Sequence, residues 1–228
     1  MGTTAQIRQE NDGLRFDVLP KSATAAFKIC AKMDFLSDGK WYLAGGTALA
    51  LQMGHRKSID LDFFTRQKTF DEKKLEKILN NHGKWVTTSL SGGTLYGELV
   101  NAKISFISYP FFKPAKPMMR HGTILLLTPQ DIAVMKIIAI SQRGKKRDFF
   151  DLYWICKNVQ PLYDNILKVH KQYSIRQNLT HILKSLVYFE DAESDPEPEI
   201  FFKASWREVK EFFKKEIPII TKKLIGLK

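Results

Sequence analysis

Trp41-Tyr42-Leu43-Ala44-Gly45-Gly46-Thr47-Ala48-Leu49-Ala50-Leu51-Gln52-Met53-Gly54 is followed closely by Ser58-Ile59-Asp60-Leu61-Asp62-Phe63-Phe64. The run from Trp41 to Ala44 is apolar and stops at a glycine pair, as a short strand does. Thr47 to Met53 then reads as a helix closed by Gly54. The second stretch alternates polar and apolar residues with the two-residue period of a strand. That period puts Asp60 and Asp62 on one face and turns Ile59, Leu61 and Phe63 toward the core. Strand, glycine turn, helix and strand in succession open an α/β unit.

The same two stretches carry chemistry. Carboxylates about 6–7 Å apart along a strand repel one another unless a cation sits between them. Mg²⁺, or Mn²⁺ in its place, takes one or two carboxylates and completes its shell with waters and substrate phosphate oxygens. Asp60 and Asp62 are therefore candidate ligands for a phosphoryl-transfer metal; a solvated strand edge is the plainer alternative. Gly45-Gly46-Thr47 stands where a strand runs into a helix, so backbone N–H groups and the helix dipole favour an anion there. The Thr47 hydroxyl can cap the helix or hold a phosphate oxygen, and a tight turn needing small residues is the plainer alternative. Each signal is weak by itself. Their order and spacing bring phosphate and metal side by side.

Outward from this centre, Lys21 to Leu36 has apolar residues at helical spacing, after an irregular lead-in over residues 1–20. Phe70 to His82 is an amphipathic helix that begins at Asp71 and is followed by Gly83. Lys84–Leu90 and Thr94–Val100 form a hairpin around Ser91-Gly92-Gly93. Lys103 to Tyr109 is a further strand. Thr128-Pro129-Gln130-Asp131 starts a helix, with Thr as cap and Pro in the first turn. Helices follow over 129–142, 148–157, 162–170, 175–188 and 205–215. Glu190 to Glu199 holds six acidic residues and two prolines, which reads as a loop outside the packed structure. The expected class is α+β: an α/β domain with a mixed sheet over residues 1–125, then a helical domain over 126–228.

The chain has 228 residues, 44% hydrophobic and 26% charged, the balance of a globular protein with a sizeable core. No apolar run is long enough to span a bilayer and the first twelve residues lack a signal-peptide core, so a cytoplasmic location with no membrane partner is expected. Cys30 and Cys156 lie in apolar helical surroundings and are expected to be free thiols. Lysine and arginine outnumber aspartate and glutamate by 36 to 24, a net charge of +12. That excess favours a polyanionic partner, most simply nucleic acid, with a generally solvated basic surface as the alternative. Eight basic residues against three acidic ones fall in Phe201–Lys228, and Arg143-Gly144-Lys145-Lys146-Arg147 forms a second basic knot.

Ala44–Gln52, Gly54-His55-Arg56 and Ser58–Phe64 resemble the signature of the AbiEii-type toxin nucleotidyltransferases, part of the DNA polymerase β-like superfamily. Asp131-Ile132-Ala133, Lys136, Ala139-Ile140, Arg143-Gly144, Lys146-Arg147-Asp148-Phe149 and Asp151-Leu152-Tyr153 resemble that family's second block. Leu186–Glu193, Trp206 and Val209-Lys210 resemble its C-terminal region. The resemblance implies transfer of a nucleotide from an NTP to an acceptor, often a tRNA 3′ end in relatives. It also implies a neighbouring winged-helix antitoxin. A weakly active nucleotide- or RNA-binding module, or a transferase for a protein or small-molecule acceptor, is the alternative. The resemblance assigns Lys136 and one of Asp148 and Asp151 to the active site; the expected catalytic residues are Asp60, Asp62, Lys136 and Asp148, with Gly45, Gly46, Thr47, Arg56 and Ser58 binding the NTP. Arg56 could equally be a surface residue.

Lys136 lies in an otherwise apolar helix, so its ammonium should be partly buried and aimed at a negative group; Arg143 shares its face. A structural Lys136–Asp148 ion pair joining two helices is the alternative to a catalytic role. For Asp151, an ion pair with Arg147 four residues earlier is the cheaper explanation. The superfamily places a third carboxylate on a later strand, where this chain offers Ser105. Either the helical domain supplies the missing acid, or the metal site is weaker, or nucleotides bind without transfer. His55 and His121 lack metal-ligand spacing. Phe111, Phe112 and the pairs Phe201-Phe202 and Phe212-Phe213 read as core.

Overall fold

The computed structural model describes residues 13–82 and 84–226, so part of the expected lead-in and the glycine after His82 lie outside it. These residues form two compact units, the first closing at Thr128 and the second opening at Pro129. The class is α+β, with a mixed sheet in the first unit and a run of helices in the second.

The first unit contains α1 (Lys21–Cys30), β1 (Trp41–Ala44), α2 (Gly45–Met53), β2 (Leu61–Thr65) and α3 (Glu72–His82). It continues with β3 (Trp85–Ser91), β4 (Thr94–Leu99), β5 (Ala102–Ser108), β6 (Met119–His121) and β7 (Ile124–Leu126). The strands form one sheet in the order β3-β4-β5-β2-β1-β7-β6. β1 runs antiparallel to β2, and β2 runs parallel to β5. The two-residue Gly92-Gly93 turn closes the β3–β4 hairpin at the Ser91–Thr94 pair.

The main core lies on one sheet face, with β1 buried on both. Trp41, Leu43, Leu61, Phe63, Ile104 and Phe106 are buried on alternate positions of three neighbouring strands. Phe63 stacks on Phe106 at 5.2 Å between centroids, and Trp41 meets the same ring edge-on at 5.3 Å. Such pairs add about 0.5–1.5 kcal/mol each beyond their burial. α3 starts where the Asp71 carboxylate accepts the Lys74 N–H at 2.9 Å, an N-cap made by side chain.

Several boundaries differ from expectation. The helix expected to reach Leu36 ends at Cys30, and a 3-10 turn at Asp34–Leu36 lets Met33 and Leu36 both reach the core. α2 begins at Gly45, two residues early. The aspartate strand begins only at Leu61, and Ile59 is 57% exposed where a core position was expected. The reason is one contact from outside the strand: the Asp60 carbonyl accepts the Thr47 hydroxyl, so a side chain occupies the acceptor at the mouth of the ladder. β6 and β7, three residues each, carry too little period to be read beforehand.

The second unit contains α4 (Pro129–Arg143), α5 (Lys146–Asn158), α6 (Leu162–Gln172), α7 (Leu179–Ser185), α8 (Glu190–Glu193) and α9 (Trp206–Leu224). Phe149, Phe189, Trp206 and Phe213 form its aromatic core. α7 is much shorter than the expected 175–188, because Asn178 caps it by accepting the His181 N–H. α9 opens with a Ser205–Glu208 capping box and runs nine residues past the expected end, through Pro218. A proline inside a helix costs about 3 kcal/mol, offset here by Ile217 and Ile220, which extend the buried stripe of Val209 and Phe213. No helix among the described residues is long and apolar enough to cross a membrane. Both cysteines are free, and burial pushes each thiol up to about 12. Phe112 and Phe213 are core as expected, whereas Phe111 and Phe201 are exposed.

Candidate active site

The first unit concentrates its candidates at one end of β1. The chain leaves the strand at Ala44 and enters α2 at Gly45, whose φ of +70° is one that L side chains rarely adopt. Ala44 supplies no side-chain cap, and no acidic residue stands in the first turn. The first N–H groups of α2 therefore have no intrahelical acceptor and lie at the positive end of the helix dipole.

Ala44 is in register with Asp62 on β2. A β-carbon built on Gly45 would lie 3.4 Å from Asp62 Oδ2, so the carboxylate stands directly against the glycine turn. An anion seated on the helix N-terminus and the Asp62 carboxylate would then be close neighbours. Two such negative groups are compatible only with a cation between them. The donor set, Asp62 with Asp60 nearby on the chain, fits Mg²⁺, which needs one or two carboxylates and takes its other oxygens from water and phosphate. No cluster of three or more carboxylate, His or Cys ligands occurs among the described residues.

The two hydroxyls near the turn are committed internally. Thr47 donates its only hydroxyl proton to the Asp60 carbonyl. The 2.7 Å contact between Thr47 Oγ1 and Ser58 Oγ then takes its proton from Ser58. This buried brace ties α2 to the segment carrying Asp60. What Thr47 can offer an anion is its backbone N–H. Arg56 is buried rather than a surface residue, and its guanidinium donates to the Lys57 carbonyl at 2.7 Å.

Beside Asp62, on the parallel strand β5, stands Ser105, and Tyr96 of β4 is in register with Ser105. Register partners project to the same side of a sheet. Ala44, Asp62, Ser105 and Tyr96 thus form one row across four strands, on the face opposite Phe63 and Phe106.

The second unit holds its own buried charge cluster. Lys136 of α4 contacts Asp148 Oδ1 and Asp151 Oδ2 of α5, each at 2.6 Å. Arg143 donates to Asp148 Oδ2 at 3.1 Å. The Lys136–Asp148 pair between helices is present, and Asp151 joins it, a partnership that spacing alone did not give. Two cations face two carboxylates, which is what makes their burial tolerable.

The acidic segment is a short helix at Glu190–Glu193 and then an exposed irregular stretch, as expected of a loop, but two of its side chains are held in place. Asp195 accepts the Lys146 N–H at 3.0 Å and the Lys145 ammonium at 3.1 Å, capping α5. The Lys146 ammonium donates to the Asp195 carbonyl at 2.6 Å. Glu193 accepts from Trp206 Nε1 at 3.0 Å and from Lys210 at 2.7 Å. Opposite charge explains it: the acidic run folds onto the basic knot. Those hydrogen bonds from Lys210 and Trp206 hold the Glu193 carboxyl below its usual range.

The description "Nucleotidyl transferase AbiEii toxin, Type IV TA system" matches residues 30–94 and 97–221. An uncharacterized protein of Aquifex aeolicus is 36% identical over 179 residues, 78% of this chain and 86% of that protein. The structure of MenT4, a nucleotidyltransferase toxin from Mycobacterium tuberculosis, superposes with a TM-score of 0.53 at 13% identity. It covers 89% of this chain and 86% of its own, a likeness of fold. By the extent of the family match and of the Aquifex relative, this chain belongs to the AbiEii nucleotidyltransferase toxins of type IV toxin–antitoxin systems.

Proposed function

We propose that the chain transfers a nucleotide from an NTP to the 3′ end of an RNA acceptor, with tRNA as the first acceptor to test. The Asp62 carboxylate standing against the N-terminus of α2 is the observation that carries this reading. It provides a seat for a phosphate and an anionic group beside that seat. The N–H groups at Gly45, Gly46 and Thr47 bind the donor phosphates, with Arg56 adding positive charge. Ser58 and Thr47 hold Asp60 in place through their shared brace. Asp60 and Asp62 hold Mg²⁺ or Mn²⁺, which when bound would neutralise charge on the phosphates and orient them for in-line displacement of pyrophosphate. Lys136 and Asp148 are the helical unit's candidate contribution to transfer. The net charge of +12 supports a polyanionic acceptor. Membership of a toxin family implies a cognate antitoxin, and a winged-helix protein is the candidate.

The test is direct: incubate the protein with each labelled NTP, Mg²⁺ and total RNA, and follow label into RNA together with pyrophosphate release. Label in a discrete RNA band is expected. NTP turnover with label in protein or in small molecules would leave the transferase standing and overturn the RNA acceptor. No turnover of any NTP would overturn the whole reading.

A further inference from the structure

The sheet face that carries Asp62 stays open beyond it. Ser105 follows in register on β5 and Tyr96 on β4. Two residues before Ser105, Lys103 points to the same side by strand alternation. It lies one step before Ile104, the register partner of Leu61, and so near the level of Asp60. Glu98 pairs with Lys103 in the β4–β5 ladder, and Val86 pairs with Glu98 in the β3–β4 ladder. Tyr96 is 41% exposed, Val86 61%, and Lys103 is exposed as well. Tyr96 thus presents part of an aromatic ring to solvent on this face. Among the described residues, the Tyr96 hydroxyl and the Lys103 ammonium have no side-chain partner.

Neighbouring strands lie about 4.8 Å apart, so Tyr96 is about 10 Å across the face from Asp62. That is the reach of one nucleotide from its 3′ oxygen to the far edge of its base. The face offers a ring for stacking, the Lys103 ammonium with Glu98 opposite it on the neighbouring strand, and small hydroxyl and β-branched neighbours. Single-stranded nucleic acid is bound by this combination of stacking platform and backbone charge.

We infer that this open face seats the single-stranded 3′ end of the RNA acceptor, with Tyr96 stacking its terminal base and Lys103 contacting its backbone phosphate. The inference rests on the proposed RNA acceptor and adds where that acceptor lies. The row Asp62–Ser105–Tyr96 then serves two partners, the carboxylate end for the donor and the aromatic end for the acceptor. Ser105 between them is small and uncharged, which leaves the path to the reacting phosphate unobstructed.

The experiment uses the full chain and a fluorescein-labelled 12-nucleotide single-stranded RNA, with binding followed by anisotropy across a salt series. NTP binding is measured separately with a nonhydrolysable analogue. Tyr96→Ala is expected to weaken RNA binding about tenfold, the scale of one base–aromatic stack, and to leave analogue binding unchanged. Tyr96→Phe keeps the ring and should bind RNA like the wild type. Lys103→Gln should reduce the slope of log K against log salt by about 0.7, the share of one single-strand phosphate contact. Wild-type RNA affinity in Tyr96→Ala would overturn the inference. So would a wild-type protein that binds the NTP analogue and not the RNA, and that result would leave the donor half of the proposed function intact.

Discussion

Asp62 and Ser105 stand in register on adjacent parallel strands, so the hydroxyl occupies the position nearest the carboxylate across the β2–β5 ladder. The superfamily resemblance leads one to expect an acid on this strand. A serine there supplies no charge, and a cation held by Asp60 and Asp62 would lean on substrate oxygens instead. Ser105→Ala should therefore keep most activity. Ser105→Asp should lower the Mg²⁺ concentration for half-maximal turnover and lower the melting temperature without metal, because like charges directly across strands repel. Turnover against Mg²⁺ concentration and thermal melting in chelator decide both parts. A loss of activity in Ser105→Ala would make the hydroxyl itself part of the chemistry.

Asp60→Ala and Asp62→Ala should each abolish transfer while the fold survives, since neither side chain belongs to the apolar core. Gly45→Ala should also lose activity, for two reasons. The turn requires a φ of +70°, and the added carbon would stand 3.4 Å from the Asp62 carboxylate. Circular dichroism together with steady-state turnover in Mg²⁺ tests all three. Full activity in either aspartate variant would remove the metal site.

The centre of the first unit was legible because its signals are local. Trp41–Ala44 is a strand with the bounds its glycine pair dictates, and the Gly-Gly hairpin and the Pro129 helix start follow from turn and cap chemistry. What escaped depends on partners distant in the chain. Ile59 follows the period of a strand, yet Thr47, thirteen residues before Asp60, takes the carbonyl that strand would have used. The acidic run at 190–199 has a loop composition, but Asp195 caps a helix that starts 49 residues earlier. No period or propensity encodes such a partner. The same holds for Tyr96, whose place in the Asp62–Ser105 row comes from two separate strand registers.

The clasp of Glu193 and Asp195 makes acid a test of the second unit. Hydrogen bonds from Lys210 and Trp206 hold the Glu193 carboxyl below its ordinary 4.5. At Asp195 partial burial pushes upward, and the Lys146 N–H with the Lys145 ammonium outweighs it. A depressed folded value means stability that is present above the ordinary value and lost as pH falls through the lower folded one. Glu193→Gln should melt below the wild type at pH 7, and the difference should close as pH drops under 4.5. A difference that does not shrink as pH falls below 4.5 would mean that shape, and not charge, holds the clasp.

Asp148 accepts from both Lys136 and Arg143, and Asp151 shares Lys136. Lys136→Met leaves two buried carboxylates without this cation and should cost about 3–5 kcal/mol in urea unfolding. Asp148→Asn keeps the shape and removes one charge; turnover should fall by at least about two decades, the scale of a positioned electrostatic group. Asp151→Asn is the control. If Asp148→Asn loses stability but not turnover, the cluster only pins α4 to α5. If Asp151→Asn is the inactive variant, the catalytic acid lies one helical turn further along.

The basic residues of α9 are candidates for contact with the acceptor backbone, but two of its lysines are already engaged within the protein. Lys210 is bound to Glu193 and lies over the Trp206 ring at 5.5 Å, while Lys214 pairs with Glu211. Replacing either would disturb packing or a local ion pair along with any phosphate contact. Arg207, Lys215 and Lys222 are exposed on the same helix, and Arg207 to Lys222 spans about 22 Å at about 1.5 Å per residue. That length could follow several backbone phosphates. If α9 tracks the acceptor, changing all three to Gln should weaken RNA binding and flatten the slope of log K against log salt by about two, at roughly 0.7 per single-strand contact. Thermal melting should be unchanged, because none of the three belongs to the buried stripe. An unchanged salt slope would mean that α9 shows RNA only a solvated face, and that the net charge of +12 acts elsewhere on the chain.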